Sequence, residues 1–160
     1  MATAQELHCN WRFKGMANSV SEVLLTEARL VAPKEDDVDL ESGAVVDFWG
    51  VVRELEDGCE IEGIDYEAHS KMAKHQMKVI SDSAAEKFQL RRVLLQHRIG
   101  FVRAGEASLF LRVTAGHRGA AFDASKWIVD ELKKKVPIWK KPAFAKATAG
   151  KPRLTSITAT

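Results

Sequence analysis

Cysteine is scarce in this 160-residue chain, with Cys9 and Cys59 the only two. They are far apart and form no CxxC pair, so no disulfide framework is expected and the chain reads as one of a reducing compartment. Long apolar runs are missing as well. None approaches the roughly 20 residues of a membrane span, so no membrane is expected among the partners. The opening "MATAQELHCNWRFKG" has no continuous apolar core of a secretory signal, and the expected location is the cytoplasm. An excess of one charge is also lacking. Lys and Arg number 24 against 22 Asp and Glu, a formal net charge of +2. A dedicated nucleic-acid binder usually carries a stronger basic excess, so any basic function must be local. A single tyrosine leaves little for a base-stacking surface. There is no GxxxxGK[ST], GxGxxG or GxSxG run. His69 and His75 do not share a helix face, and no Cys/His group has zinc spacing. No metal and no cofactor are expected.

What is present is a 46% hydrophobic composition, enough for one core at this length. Residues 1–19 are aperiodic and read as a poorly ordered extension. A short apolar run at 21–31 reads as a strand, followed by an acidic loop. "AVVDFWGVVREL" (44–55) is β-branched and aromatic, a strand with a bulge or close approach at Gly50. "EDG" is a turn, and residues 59–69 return as a second strand, so the pair resembles a hairpin. Ala73, Met77, Ile80, Ala84 and Phe88 form one stripe of a helix over about 70–88. Residues 91–100 are a strand ending at glycine. Residues 106–114 alternate, with Ala107, Leu109, Leu111 and Val113 on one face and a polar-leaning other face, the pattern of a half-covered strand. A second helix spans about 119–135, with Phe122, Ser125, Ile128 or Val129, Leu132 and Val136 inward, and Pro137 stops it. The order β, ββ, α, ββ, α is α+β with a mainly antiparallel sheet. Residues 142–160 read as a divergent, mobile tail.

Basic groups gather at three places. His117 and Arg118 sit at the start of the second helix, where free N–H groups and the helix dipole favour an anion such as phosphate. The blander reading is a loop arginine in solvent and a capping histidine. "LKKKVPIWKK" (132–141) has five lysines around a Pro-Ile-Trp wedge. Lys133 lies at the edge of the buried stripe, with Asp130 expected to pair with both Lys126 and Lys133. Lys134 and Lys135 point to water. Trp139 is expected to pack back on the core and hold Lys140. Lys133 and Lys140 could then flank one anionic or carbonyl-bearing substrate, and a shielded lysine can serve as acid or base. The alternative is a solvated basic helix end. Third, Arg53 closes the strand that carries Phe48, with a fork suited to carboxylate or phosphate. His97 shares a face with Val93, Leu95 and Ile99, which suits a hydrogen-bonded core histidine better than a ligand.

The stretches "GAVVDFWGVVR" (43–53), "YEAHSKMA" (66–73), "HRIG" (97–100), "HRGAAFDA" (117–124) and "LKKKVPIWKK" (132–141) together resemble the large, catalytic subunit family of molybdopterin synthase. The resemblance covers residues 20–141. It implies an α/β hammerhead with an additional, mainly antiparallel β subdomain. It implies conversion of cyclic pyranopterin monophosphate to molybdopterin, with two sulfurs supplied by the thiocarboxylated Gly-Gly end of a small ubiquitin-like subunit. The implied assembly is a homodimer with one small subunit at each end. By position, Lys133 and Lys140 match the family's active-site lysines, His117 and Arg118 its substrate-pocket pair, and Arg53 a pocket arginine beside Phe48. Two departures stand out: Pro142 replaces the glutamate usual after the WKK run, and the tail has no counterpart, leaving Lys146 and Arg153 as candidates for a pocket residue given by a neighbouring protomer. The competing reading is a non-catalytic module that binds phosphorylated pterins or nucleotides.

Overall fold

The β-branched and aromatic segments of the chain form strands, and the two segments with apolar residues every three or four positions form helices. The computed structural model describes residues 20–34 and 40–144. In chain order the elements are β1 (Val20–Thr26), β2 (Ala44–Val51), β3 (Leu55–Glu56), β4 (Cys59–Ala68), α1 (Ser70–Lys87), β5 (Arg92–Arg98), β6 (Gly100–Arg103), β7 (Ala107–Ala115), α2 (Arg118–Lys135) and β8 (Ile138–Phe144). The first sheet has the order β1-β5-β7-β2. Its β1–β5 pair is parallel, and its other pairs are antiparallel. In the second sheet β4 pairs antiparallel with β6, β8 and the two-residue β3.

Both helices lie on one face of the first sheet. Ala73, Met77, Ile80 and Ala84 of α1 and Ala121, Ala124, Ile128 and Leu132 of α2 are buried with Val93, Leu95, Leu111 and Val113. Burying the Val, Leu, Ile and Met side chains among them is worth about 1.5–3 kcal/mol each. A second, smaller core of Val52, Ile61, Ile64, Tyr66 and Val102 supports the second sheet, and Ile138 packs against both cores.

Five expectations change. Residues 44–55 and 59–69 form no long hairpin, because β2 pairs with β7 and only Leu55–Glu56 returns against Cys59–Glu60. The strand expected at 91–100 divides at Ile99: Gly100, at φ +75°, takes a left-handed conformation that lets the chain leave the first sheet and enter the second as β6. The β7 strand is covered on both faces, since Phe110 packs with Leu30 and Leu94 on the side away from the helices. There Arg112 is buried and donates two 2.7 Å hydrogen bonds to Asp47, which explains a charge inside a covered strand. Phe122 is 61% exposed, because α2 turns its small Ala121 and Ala124 to the sheet instead. Finally β8 runs through Pro142 to Phe144, so the segment expected as a tail begins as strand. Proline is tolerated there because β8 pairs on one side only among the described residues, and its missing N–H can lie on the free edge. The extension 1–19 and the rest of the tail, Lys146 and Arg153 included, lie outside the described residues. The bulge expected at Gly50 is present as a register shift between Gly50 and Val51.

Candidate active site

Helix α2 begins at Arg118, three residues beyond the end of β7 at Ala115, so it must run back over the sheet. Its last turn, with Lys133, therefore lies at the end of the first sheet where β2 finishes and β7 starts. The helix ends at the expected place, with Val136 as its C-cap donating to the Leu132 carbonyl at 3.1 Å. Pro137 follows, and the chain enters β8.

The lysines of the 132–141 run then divide. Lys134 and Lys135 share Glu131, at 3.4 and 2.5 Å. Lys141 pairs across the sheet with Glu67 at 2.5 Å. Lys133 and Lys140 have no ion-pair partner among the described residues. Asp130 bonds to Lys126 at 2.8 Å and feels Lys133 only at longer range, so the expected double pairing reduces to one. The neighbouring charges act on the acids as the geometry requires. Lys126 holds the Asp130 carboxyl below the usual carboxylate range, and Lys135, more than Lys134, does the same for Glu131. Both Lys133 and Lys140 are exposed in the single chain, so the shielding expected for Lys133 is not supplied by its own fold. Trp139 is 56% exposed rather than packed on the core. Strand alternation is the reason: Ile138 takes the inward position and Trp139 the outward one, while Lys140 returns to the side of Ile138 but remains exposed. What holds Lys140 is the β8–β4 ladder, in which it stands opposite Tyr66.

Tyr66 opens the interior of the site. Its hydroxyl lies 3.1 Å from the Ser108 Oγ, which in turn lies 3.3 Å from the Gly50 carbonyl. That carbonyl can only accept, so Ser108 donates to it and accepts from Tyr66. Burial pushes the Tyr66 hydroxyl above its ordinary value, with the Ser108 bond opposing. The Tyr66 ring meets the His97 ring edge-on at 5.3 Å. His97 Nδ1 lies 2.6 Å from the Arg98 carbonyl, as suits a hydrogen-bonded histidine. Burial lowers its affinity for a proton, the Arg98 carbonyl opposes that, and Lys140 adds to it. Phe48 belongs to the same end. A Cβ on Gly50 would lie 3.7 Å from its ring. Arg53 follows two residues after β2 and meets Glu56 at 3.4 Å, largely in solvent.

The backbone thus places Phe48, Arg53, Lys133 and Lys140 towards one end of the first sheet, on the side where the second sheet begins. His117 and Arg118 do not join them. His117 is the extended N-cap of α2 and makes no capping hydrogen bond with its side chain, and Arg118 is the first helical residue. Both are exposed, at the opposite end of the helix. Fifteen helical steps put Arg118 about 22 Å from Lys133 along the axis. The residues that sequence reasoning did not assign to the site are Tyr66, Ser108 and His97. Their convergence comes from β4, β7 and β5 and has no local signal. A cavity of about 300 Å³ lies on the other face of the first sheet, between Arg29, Trp49, Val51 and Glu106, away from the lysines. Among the described residues no three His, Cys, Asp or Glu are grouped as a metal would require.

The family model described as "MoaE protein" matches residues 22–135. The chain belongs to the MoaE family. Among its MoaE relatives, the molybdopterin synthase catalytic subunit of Oryza sativa subsp. indica is 40% identical over 106 residues, which cover 66% of this chain and 55% of the relative. That of Pyrococcus abyssi is 42% identical over 100 residues, 62% of this chain and 68% of the relative. The chain therefore spans little more than half the length of the rice protein. The crystal structure of molybdopterin synthase from Staphylococcus aureus superposes with a TM-score of 0.69 at 30% identity, covering 78% of this chain and 90% of that one. The mixed α/β architecture with two helices is thus that of solved MoaE proteins.

Proposed function

We propose that this MoaE chain is the catalytic, sulfur-transferring subunit of a molybdopterin synthase. It converts cyclic pyranopterin monophosphate to molybdopterin, forming the dithiolene with sulfur from the thiocarboxylated Gly-Gly end of a small ubiquitin-like subunit. One observation carries the reading: of the five lysines at 132–141, the fold pairs three with carboxylates and leaves Lys133 and Lys140 unneutralised. These are the positions of the family's active-site lysines. Their ammonium groups are the natural partners of an anionic thiocarboxylate and of charge developing on the pterin, as electrostatic stabilisers or proton donors. The first sheet with its helices corresponds to the hammerhead, and the second to the antiparallel β subdomain. The reaction belongs to the cytoplasm, and no helix among the described residues is long and apolar enough to cross a membrane.

A homodimer resolves the separation of Arg118 from Lys133. Among the described residues β2 pairs on one side only, with β7. Antiparallel pairing of its free edge with the same edge of a second copy is two-fold and self-complementary. It would bring the end of one β2, with Phe48 and Arg53, beside the start of the other, where the second copy's α2 begins. His117 and Arg118 of that copy then meet the substrate phosphate, while Lys133 and Lys140 meet the incoming tail. With one small subunit at each end the assembly is a heterotetramer.

The test is turnover of cyclic pyranopterin monophosphate with a thiocarboxylated small subunit. Molybdopterin formation is the expected result. Tight binding of the pterin without turnover would replace this reading with the non-catalytic binding module, and would make Pro142, in place of the family's glutamate, the first residue to revert.

A further inference from the structure

The hydrogen-bond directions around Tyr66 leave one acceptor unused. The Arg98 carbonyl can only accept, so the proton of the neutral His97 ring sits on Nδ1. The Tyr66 hydroxyl donates towards Ser108, and so is not turned to the imidazole. The remaining lone pair of His97, on Nε2, has no hydrogen-bond partner among the described residues. The ring is pinned by the 2.6 Å bond on one side and by the Tyr66 ring at 5.3 Å on another. The charged group acting on it is Lys140, which stands opposite Tyr66 in the β4–β8 ladder. Among the described residues no other charge is seen to act on it. Leu25 and Leu109 flank it in the sheet, and the helix residues of that core, Ala73, Met77, Ile128 and Leu132, are apolar. Arg98 turns to the opposite face, where it pairs with Glu106 at 2.9 Å.

We propose that His97 is a positioning residue for Lys140: its unfilled Nε2 is the acceptor that the Lys140 ammonium, unbonded to it in this structure, takes up on a change of rotamer, which holds that group over the junction of the sheets. A lysine on an edge strand has several rotatable bonds and loses about 1.5–2 kcal/mol of side-chain entropy when fixed. A rigid acceptor beside it reduces the number of places the charge visits before substrate arrives. Because burial keeps the ring neutral, it accepts from the lysine instead of repelling it. The inference rests on Lys140 being an active-site lysine, and its test separates the two claims.

The first measurement is ¹⁵N NMR of imidazole-labelled full-length protein. The expected His97 tautomer carries its proton on Nδ1, and Lys140→Gln should move the Nε2 resonance and raise the pH at which the ring protonates. A proton on Nε2, or no response to Lys140→Gln, overturns the proposal whether or not the chain is a synthase. The second is kinetic. His97→Phe should lower kcat by about tenfold or more with KM for the pterin unchanged. His97→Gln, which retains an acceptor, should recover part of that, and His97→Phe should add nothing in a Lys140→Gln background. Equal losses with Phe and Gln would reduce His97 to a packing residue. If the wild type forms no molybdopterin, the synthase reading fails and the NMR result alone decides this one.

Discussion

Lys133 and Lys134 are separated by one step of about 100° around α2. That step puts Lys134 beside Glu131, where it shares a carboxylate with Lys135, and leaves Lys133 without a counter-charge. Lys133→Ala should abolish molybdopterin formation and Lys134→Ala should leave it near wild type. Both should shift stability by less than about 1 kcal/mol, since exposed pairs and lone surface lysines contribute little. Product assay and urea denaturation check both halves, and equal activity losses would make the run a general basic surface. His97 sets a second expectation. Its folded-state pKa lies below the ordinary 6.5, so on acidification the unfolded chain binds that proton first. Its contribution to stability is complete above 6.5 and is lost as pH falls from there towards the lower folded value. Asp130, Glu131 and Glu106 are also depressed, but their contributions fade only further down, below the ordinary carboxylate range. Denaturation at pH 7.5 and 5.5 should show a drop that His97→Phe removes, and an unchanged drop in the variant would assign it elsewhere. The basic run and the setting apart of Lys133 and Lys140 were legible in the sequence, but the carboxylates that neutralise the other three lysines were not. Glu131 is a local partner, whereas Glu67 reaches Lys141 only through the β4–β8 pairing.

Helix α1 was legible because Ala73, Met77, Ile80 and Ala84 repeat at helical spacing, and all four are buried. The partner of β2 was not. Alternation identifies a strand but carries no address, and a turn at 56–58 suggested the nearest strand when the actual neighbour is β7. The same limit hid β6 and β8, strands defined by what they pair with. Their mutual dependence is concentrated at Gly63, in the middle of β4. A Cβ there would stand 2.3 Å from the Val102 carbonyl oxygen and 2.7 Å from the Phe101 ring. Neither is the free end of a flexible chain, so Gly63→Ala must shift β6 or β4. The expected cost is about 1–3 kcal/mol, as for other overpacked sites. Because β8 is laid on β4, molybdopterin formation should also fall although no site residue has changed. A thermal melt and a turnover assay check this, and a variant matching wild type in both would mean the sheet yields at no cost.

At the level of the whole molecule, the proposed division of one site between Lys133 of one chain and Arg118 of another predicts complementation between chains. Lys133→Ala and Arg118→Ala chains should each be inactive alone. Unfolded together and refolded, randomly paired dimers should regain about a quarter of wild-type activity, because half of the dimers are mixed and each mixed dimer has one intact site. No recovery, with mixed dimers confirmed by mass, would mean that each site is built from one chain. Val20 meets Arg92, and Ala44 meets Ala115, each roughly 70 residues later in the chain, so these are long-range contacts with a loop-closure cost that local contacts do not incur. On a ribosome adding about 5–20 residues per second, β1 emerges several seconds before anything exists for it to pair with. The sheet cannot close until β7 has left the exit tunnel, and among the described elements only α2 and β8 follow it. Nascent chains arrested before Ala115 should be open to protease and to chaperones along β1 and β2, and those released beyond Phe144 should not. Among the described elements the lysine-bearing segment is thus the last to be added, onto a scaffold that has waited for its own middle.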